Sequence, residues 1–182
     1  MIEQENKNDE NKLNSMIALI VAITATFMAI CNVKDGNIVQ SMSQAQANSL
    51  DAWSYYQAKS TKEAIVLNTL DLIKMQHNPD SVKLFERYNN EIIKYSKEKE
   101  DILKQAKGFQ KEYNDINLFD DQFDMTEALL TISIAMFGIT SLTQNKKLFI
   151  FSTIVSISGI VLGLAAFFKI SIHSDLISRI LG

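Results

Sequence analysis

Residues 126–168 read TEALLTISIAMFGITSLTQNKKLFIFSTIVSISGIVLGLAAFF, two apolar runs separated by a short basic segment. Apart from Glu127 near the start, neither run contains an ionisable side chain. At about 1.5 Å per helical residue, each run nearly or fully crosses a hydrocarbon core of about 30 Å. We therefore interpret residues 126–143 and 148–168 as two transmembrane helices joined by the loop 144–147.

A third apolar run, LNSMIALIVAITATFMAICNV at residues 13–33, follows an amino-terminal segment rich in acids. Lysines precede this run as they precede the apolar core of a signal peptide, which is the alternative interpretation. The acidic flank and Ile30, where lipoprotein processing needs a small residue, argue against cleavage. We predict an uncleaved anchor after the acidic segment 1–12, with the sole cysteine, Cys31, in a buried apolar position.

The region between these runs, residues 34–125, contains 11 Lys, one Arg and 15 Asp or Glu. The absence of a basic stripe argues against nucleic-acid binding. Its few helix breakers are Gly36, Gly108 and Pro79, which favours two helices of about 40 residues with a turn near 76–80. We therefore expect an all-α membrane protein with three transmembrane helices and a long antiparallel, coiled-coil-like helical hairpin between the first and second.

A seam of mostly apolar residues at alternating steps of four and three marks the second hairpin helix. Its members are Tyr88, Ile92, Tyr95, Lys99, Ile102, Ala106, Phe109, Tyr113 and Ile116. The first helix carries two apolar lines, one of Leu50, Trp53, Ala64 and Leu67 and one of Ala52, Tyr56, Val66, Leu70 and Ile73. This wide surface predicts a homo-oligomer. Within the hairpin, the register predicts that Trp53 packs near Ile102, Ala106 and Phe109. A ligand platform of stacked rings is the alternative.

Each apolar run contains a stripe of small residues at helical spacing. These stripes predict close helix packing, within one chain or between chains. They are Ser15, Ala18, Ala22, Ala25 and Ala29 in the first run, Ala128, Thr131, Ala135 and Gly138 in the second, and Ser152, Ser156, Gly159, Gly163 and Ala166 in the third. The residues expected to carry assembly are Trp53, Tyr56, Tyr88, Ile92, Tyr95, Ile102, Phe109, Tyr113, Gly159 and Gly163.

Motifs for catalysis, cofactors or metals are lacking in the sequence, and its two histidines, His77 and His173, fall at opposite ends of the expected fold. We predict no catalytic residue, no cofactor and no metal site. The segment DDQFDMTE at residues 120–127 is the one dense acidic cluster, and we interpret it as solvated charge rather than a cation site. Glu127 is the one charged side chain within the predicted spans, and we interpret it as an acid in the first turn of a helix beginning at Asp124 or Thr126.

Positive charge in the shortest loop, Lys146 and Lys147, places that loop and the amino terminus in the cytoplasm and residues 34–125 outside. Lysines beside the outer span ends, Lys34 and Lys169, weaken this asymmetry. The tail 169–182 fits an amphipathic interfacial helix or a continuation of the third span.

Along the chain, the order of segments is span, charged helical region, span, basic turn, span. Two passages within this order are QAQANSLDAWSYYQAKSTKE at residues 44–63 and DMTEALLTISIAMFGITSL at residues 124–142. In this order the chain resembles the bacterial membrane family catalogued as domain of unknown function 4337. The basic turn is richer in arginine in that family, whereas here it holds lysines. The resemblance implies a bacterial inner-membrane location and no particular activity.

These patterns lead to two functional hypotheses. The first is a non-enzymatic, homo-oligomeric scaffold in the bacterial envelope, with membrane lipids and other envelope proteins as partners. The alternative is a channel or transport-like protein whose packed spans line a path, with the hairpins as its vestibule. The spans contain hydroxyl groups but no Asp, Lys, Arg or His in their interiors, which favours the scaffold.

Overall fold

In the computed structural model, residues 2–75 and 81–172 are described, with the backbone alone for residues 2–7, 9 and 81. The described residues form three helices and no strand: α1 at Ile2–Met75, α2 at Ser81–Thr143 and α3 at Lys146–Phe167. Each helix is long and apolar enough, by length and composition, to cross a membrane. The predicted hairpin turn at residues 76–80, and the tail from residue 173 onward, lie outside the described residues.

Helices α1 and α2 continue through segments where the sequence suggested a boundary. Gly36 lies inside α1 without interrupting it, because one glycine costs a helix only about 1 kcal/mol. Likewise, α2 passes unbroken through residues 117–125. No helix therefore begins at Asp124 or Thr126, and the interpretation of Glu127 as a first-turn acid is wrong.

The chain divides into two compact units. The first unit combines Met1–Gln40 with Asp115–Gly182, and the second unit is Ser41–Asn114. Two apolar clusters form the core of the first unit. One contains Leu13, Ile17, Ile20, Val21, Phe137 and Phe149, and the other contains Phe27, Cys31, Ile38, Phe123, Ala166 and Phe167.

Buried hydroxyl groups accompany these clusters in the first unit. The hydroxyls of Thr24 on α1 and Ser156 on α3 lie 2.9 Å apart and share a hydrogen bond. The remaining buried hydroxyls donate to carbonyl oxygens of their own helices: Thr126, Ser133, Thr140 and Ser152. Since a buried polar group without a partner is costly, these local hydrogen bonds allow the helices to pack closely around polar side chains.

The turn between α2 and α3 consists of Gln144 and Asn145. Gln144 adopts a left-handed backbone with φ of 53°, and the side chain of Asn145 caps α3 by accepting from the amides of Lys147 and Leu148. Asn14 on α1 accepts hydrogen bonds from Ser141 and from Gln144 at 2.9 and 3.0 Å. These bonds fasten the turn to α1.

Helix α3 ends at Phe167, followed by Lys169 in a left-handed conformation with φ of 55°. The side chain of Gln122, only 2% exposed, then holds the outgoing chain. It donates to the carbonyls of Leu162 and Ile170 and accepts from the amide of Ile172. Residues 168–172 therefore do not continue α3, in contrast to the alternative in which the third span extends straight into the tail.

Candidate functional site

The inward faces of the second unit coincide with two of the apolar lines in the sequence. Every member of the α2 seam from Tyr88 to Tyr113 is buried or half-buried, whereas its neighbour Ile93 is exposed. On α1, the line of Ala52, Tyr56, Val66, Leu70 and Ile73 is likewise buried or half-buried. These two lines supply much of the internal packing of the second unit.

An ionic layer crosses this packing near its middle. Lys59 Nζ on α1 lies 2.5 Å from Glu98 Oε2 on α2, and Lys99 on α2 donates a hydrogen bond to Glu63 on α1. That hydrogen bond raises the pKa of Lys99. Lys99, the polar interruption of the seam, is thus matched by an acid on the opposite helix.

Tyrosine rings border the ionic layer on both helices. Lys59 Nζ lies 5.4 Å from the centre of the Tyr55 ring and 5.3 Å from that of Tyr95. Lys99 Nζ lies 5.7 Å from the centre of the Tyr56 ring. An ammonium group within about 6 Å of an aromatic face gains a cation–π attraction, so the rings help to position both lysines.

Trp53 belongs to the other apolar line of α1, which faces outward. Leu50, Trp53, Ala64 and Leu67 are all exposed, with Trp53 at 37%. The Trp53 ring meets Tyr56 edge-on, with centroids 5.8 Å apart. It also lines a shallow groove whose members are Gln46, Ser49, Leu50, Trp53, Gln110 and Tyr113.

Two of the predicted Trp53 neighbours line a different groove. Ile102 and Phe109 lie there with Ala52 and Tyr55. The Trp53 ring, which is partly exposed, keeps an open side on the surface of the second unit. Such a position suits an aromatic side chain that completes its packing against another molecule.

The pairing of Lys99 with Glu63 should contribute to the stability of the second unit. We expect Lys99→Glu to lower the free energy of unfolding by about 1 to 2 kcal/mol, because two partly buried acids then face each other. The double exchange Lys99→Glu with Glu63→Lys should restore most of the loss. Circular dichroism during thermal unfolding measures both effects.

A control for this exchange is Lys104→Glu. Lys104 pairs with Glu100 one turn away on the exposed surface of α2, where an ion pair contributes little to stability. Equal losses for Lys104→Glu and Lys99→Glu would contradict a specific role for the ionic layer.

Gly159 and Gly163 are buried in the first unit where α3 contacts the other two helices. A Cβ atom at Gly159 would lie 2.7 Å from Leu130 Cδ2. One at Gly163 would lie 2.9 Å from both Phe27 Cε1 and Thr126 Cγ2. Both glycines therefore serve packing within one chain, a question that the sequence left open.

The glycine contacts lead to a direct test. We expect Gly163→Ala to lower the free energy of unfolding by about 1 to 3 kcal/mol, since the added methyl overlaps a ring and a β-branched side chain. Gly108→Ala is the control, because nothing lies within 4 Å of a Cβ at that position either. The control should be neutral or slightly stabilising through helix propensity. Thermal unfolding in detergent measures both, and equal effects would contradict the contact.

An acidic pair lies at one end of the first unit, where α1 and α2 meet. Burial first, then the charges of Asp120, Asp124 and Glu127, raise the pKa of Asp35 to about 6. Burial and neighbouring acids also raise the pKa of Asp120. Oδ1 of Asp35 is buried and has no hydrogen-bond partner in the described part of the chain. Asp35 on α1 and Asp120 on α2 thus form a pair of acids on two different helices, each with a raised pKa.

This pair should make stability depend on pH. Because the folded-state pKa of Asp35 lies above its ordinary value of 3.8, its stabilising contribution is complete below that value and is lost as the pH rises through about 6. Asp35→Asn should therefore raise the melting temperature at pH 8, by a gain of about 1 kcal/mol given partial solvation.

Melting curves of wild type and Asp35→Asn between pH 4 and 8 test this dependence. The difference between the two proteins should shrink as the pH falls below about 5. Asp51→Asn, at an exposed carboxyl of the second unit, controls for the loss of one charge. A difference that stays constant with pH would contradict the raised pKa of Asp35.

Asp35 was not among the predicted site residues, although the sequence contains a signal for it. It follows the first apolar run by two positions, and Asp120 precedes the second by six. Antiparallel neighbouring spans would bring these two ends to the same level. The sequence does not state which helix faces meet, which is why the pair was missed.

Glu127 is exposed on α2, and its Oε1 accepts a hydrogen bond from Asn32 on α1 at 3.4 Å. This contact is longer than an ordinary hydrogen bond and is correspondingly weak. Among the described residues, no group of three or more Asp, Glu, His or Cys side chains is arranged to hold a metal ion.

Together the helices define an all-α protein with three helices apolar enough to cross a membrane. The chain belongs to the family described as Domain of unknown function (DUF4337), which matches residues 13–169. This match includes the predicted spans and the whole second unit. No curated protein and no solved structure matches the chain.

Proposed function

We propose that this protein is a membrane-anchored homo-oligomer that acts as a structural or interaction scaffold in the bacterial envelope. In this proposal the three apolar helical segments cross the inner membrane, and the second unit lies on its extracytoplasmic side. Three helices of suitable length and composition support the membrane anchor. The lysines at the α2–α3 turn support the orientation.

The second unit is an antiparallel helical hairpin in this proposal. Its contacts support the antiparallel direction. Within the second unit, moving along α1 toward its carboxyl end brings contacts with residues of α2 that lie nearer the amino end of α2. Ala52 shares a groove with Phe109, and Lys59 pairs with Glu98. A hairpin of this kind presents two long side surfaces to neighbouring molecules.

The observation that supports the proposed oligomer is the apolar surface of the second unit. Among the described residues of this unit, the large exposed apolar side chains outnumber the large fully buried ones. They are Leu50, Trp53, Tyr55, Ile65, Leu67, Leu72, Met75, Val82, Leu84, Phe85 and Ile93, against Met42, Val66, Leu70 and Ile102 among the buried. Scattered apolar residues are normal on a surface, but so high a share on two helices favours burial against further helices.

The first unit supports association in the membrane as well. The small-residue stripe of α3 packs against other helices of the same chain, since all five of its members are buried. The stripes of α1 and α2 remain largely exposed, including Ala18, Ala22, Ala128, Ala135 and Gly138. Exposed small residues let a helix of a second copy approach closely.

Native mass spectrometry and light scattering in detergent test the oligomer. Wild type should give a single oligomeric mass. Trp53→Ala should weaken assembly by about 3 kcal/mol, the usual cost of removing a large ring that is buried in the assembly. Ser54→Ala, at the adjacent exposed position, should leave the mass unchanged. A strictly monomeric wild type would overturn the proposal, as would an unaltered assembly in Trp53→Ala at concentrations near dissociation.

Ion flux into liposomes separates the scaffold from the channel. A scaffold should give sealed liposomes at the protein densities used for the mass measurement. Ion flux that is abolished by Glu127→Gln would overturn the scaffold proposal in favour of the channel, because Glu127 is the acid at the boundary of a predicted span.

A further inference from the structure

A groove of about 350 Å³ opens between the first helical segment of α1 and the start of α3, wholly within the first unit. Six residues line it: Lys12, Leu13, Met16, Lys146, Phe149 and Ile150. Three come from α1 and three from α3, so the groove depends on the packing of these helices. None of the residues expected to carry assembly lines this groove.

The chemistry of the groove is divided between charge and apolar surface. Lys12 and Lys146 bring two exposed ammonium groups from different helices to the same groove. The other four lining residues are apolar, and two of them, Met16 at 49% and Ile150 at 59% exposure, are open to the surroundings. A ligand that fits this surface carries negative charge at one end and an apolar chain.

The groove floor is held in place by the core. Leu13 is a buried member of the apolar cluster around Phe137, and the ring of Phe149 packs edge-on against Phe137 with centroids 6.0 Å apart. These contacts fix the spacing of α1 and α3 at the groove. The apolar floor is therefore present before a ligand binds, which reduces the entropic cost of binding.

The start of α3 adds positive potential to the two lysines. Lys146 is the first residue of α3, and the amino-terminal end of a helix carries a partial positive charge. The nearest acid on α1 with a described side chain is Glu10, which is exposed. It precedes Lys12 by two residues and so points to the far side of α1, roughly 200° away around the helix.

We propose that this groove is a binding site for an anionic phospholipid. The phosphate lies between Lys12 and Lys146, and an acyl chain lies along Leu13, Met16, Phe149 and Ile150. The site rests on the membrane insertion proposed above, since both lysines stand at the cytoplasmic ends of predicted spans. Basic pockets between transmembrane helices on that side are suited to anionic headgroups.

An anionic lipid fits the groove better than a soluble phosphate or a zwitterionic lipid. A soluble phosphate would leave the apolar wall without a partner, although that wall makes up most of the lining. A zwitterionic headgroup would bring a cation beside two ammonium groups. An anionic phospholipid satisfies both parts of the groove at once.

The test compares lipid binding to purified, delipidated protein by native mass spectrometry. Phosphatidylglycerol should bind wild type more tightly than phosphatidylcholine with the same acyl chains. The double variant Lys12→Gln with Lys146→Gln should bind phosphatidylglycerol roughly 30-fold more weakly, about fivefold for each lysine. The double variant Lys34→Gln with Lys169→Gln loses the same charge at the opposite span ends and should bind as wild type does.

Further arms of this test identify the source of the anion. Glycerol phosphate at equal concentration should not compete with phosphatidylglycerol; equal competition would make the groove a soluble-phosphate site and overturn the proposal. Phosphatidylglycerol binding that is unchanged in the Lys12 and Lys146 variant would also overturn it. If that variant does not fold, Lys12→Arg with Lys146→Arg should retain binding while Lys12→Gln alone reduces it about fivefold.

Failure of this site is distinguishable from failure of the proposed scaffold. The oligomeric mass appears in the same spectra, and alkaline carbonate extraction of cell membranes reports insertion. Loss of lipid selectivity with an intact, membrane-inserted oligomer overturns the lipid site alone. Extraction of the chain by carbonate would overturn the membrane anchor and the lipid site with it.

Discussion

The close approach of α3 to α1 and α2 is the constraint on which the first unit depends. At Gly163 the backbone of α3 comes so near Phe27 and Thr126 that a single methyl group would overlap both. Such proximity brings Ser156 within hydrogen-bond reach of Thr24 and positions Ala166 in the cluster around Cys31 and Phe123. In a lipid environment, where apolar side chains gain little by leaving the solvent, this close packing of helices supplies much of the attraction.

Packing of this kind also decides which surfaces remain for partners. The small residues of α3 are buried within the chain, whereas those of α1 and α2 face outward. In the second unit, one apolar line of α1 packs inward and the line of Trp53 faces outward. The proposed oligomer therefore uses surfaces that the single chain leaves uncovered, and the groove of Lys12 and Lys146 lies apart from them.

The sequence predicts the three long apolar helices because lipid-length apolar runs have few other structures available to them. It also identifies the α2 seam, since a heptad-like spacing defines a helix face without knowledge of the partner. Helix continuity at Gly36 was harder to predict, because one glycine is compatible with either a break or a helix. The pairs Glu63–Lys99 and Asp35–Asp120 require the register between helices, which local patterns do not contain.

Cys31 gives the protein a practical property for experiments. It is the only cysteine in the sequence, and at 1% exposure it is enclosed by the second apolar cluster of the first unit. Thiol reagents in water react with accessible thiolates, so the natural chain offers them almost no target. A cysteine introduced on the outward line of α1 would therefore be the sole reactive thiol. Disulfide crosslinks through it would measure distances between copies directly, without first removing a native residue from the core.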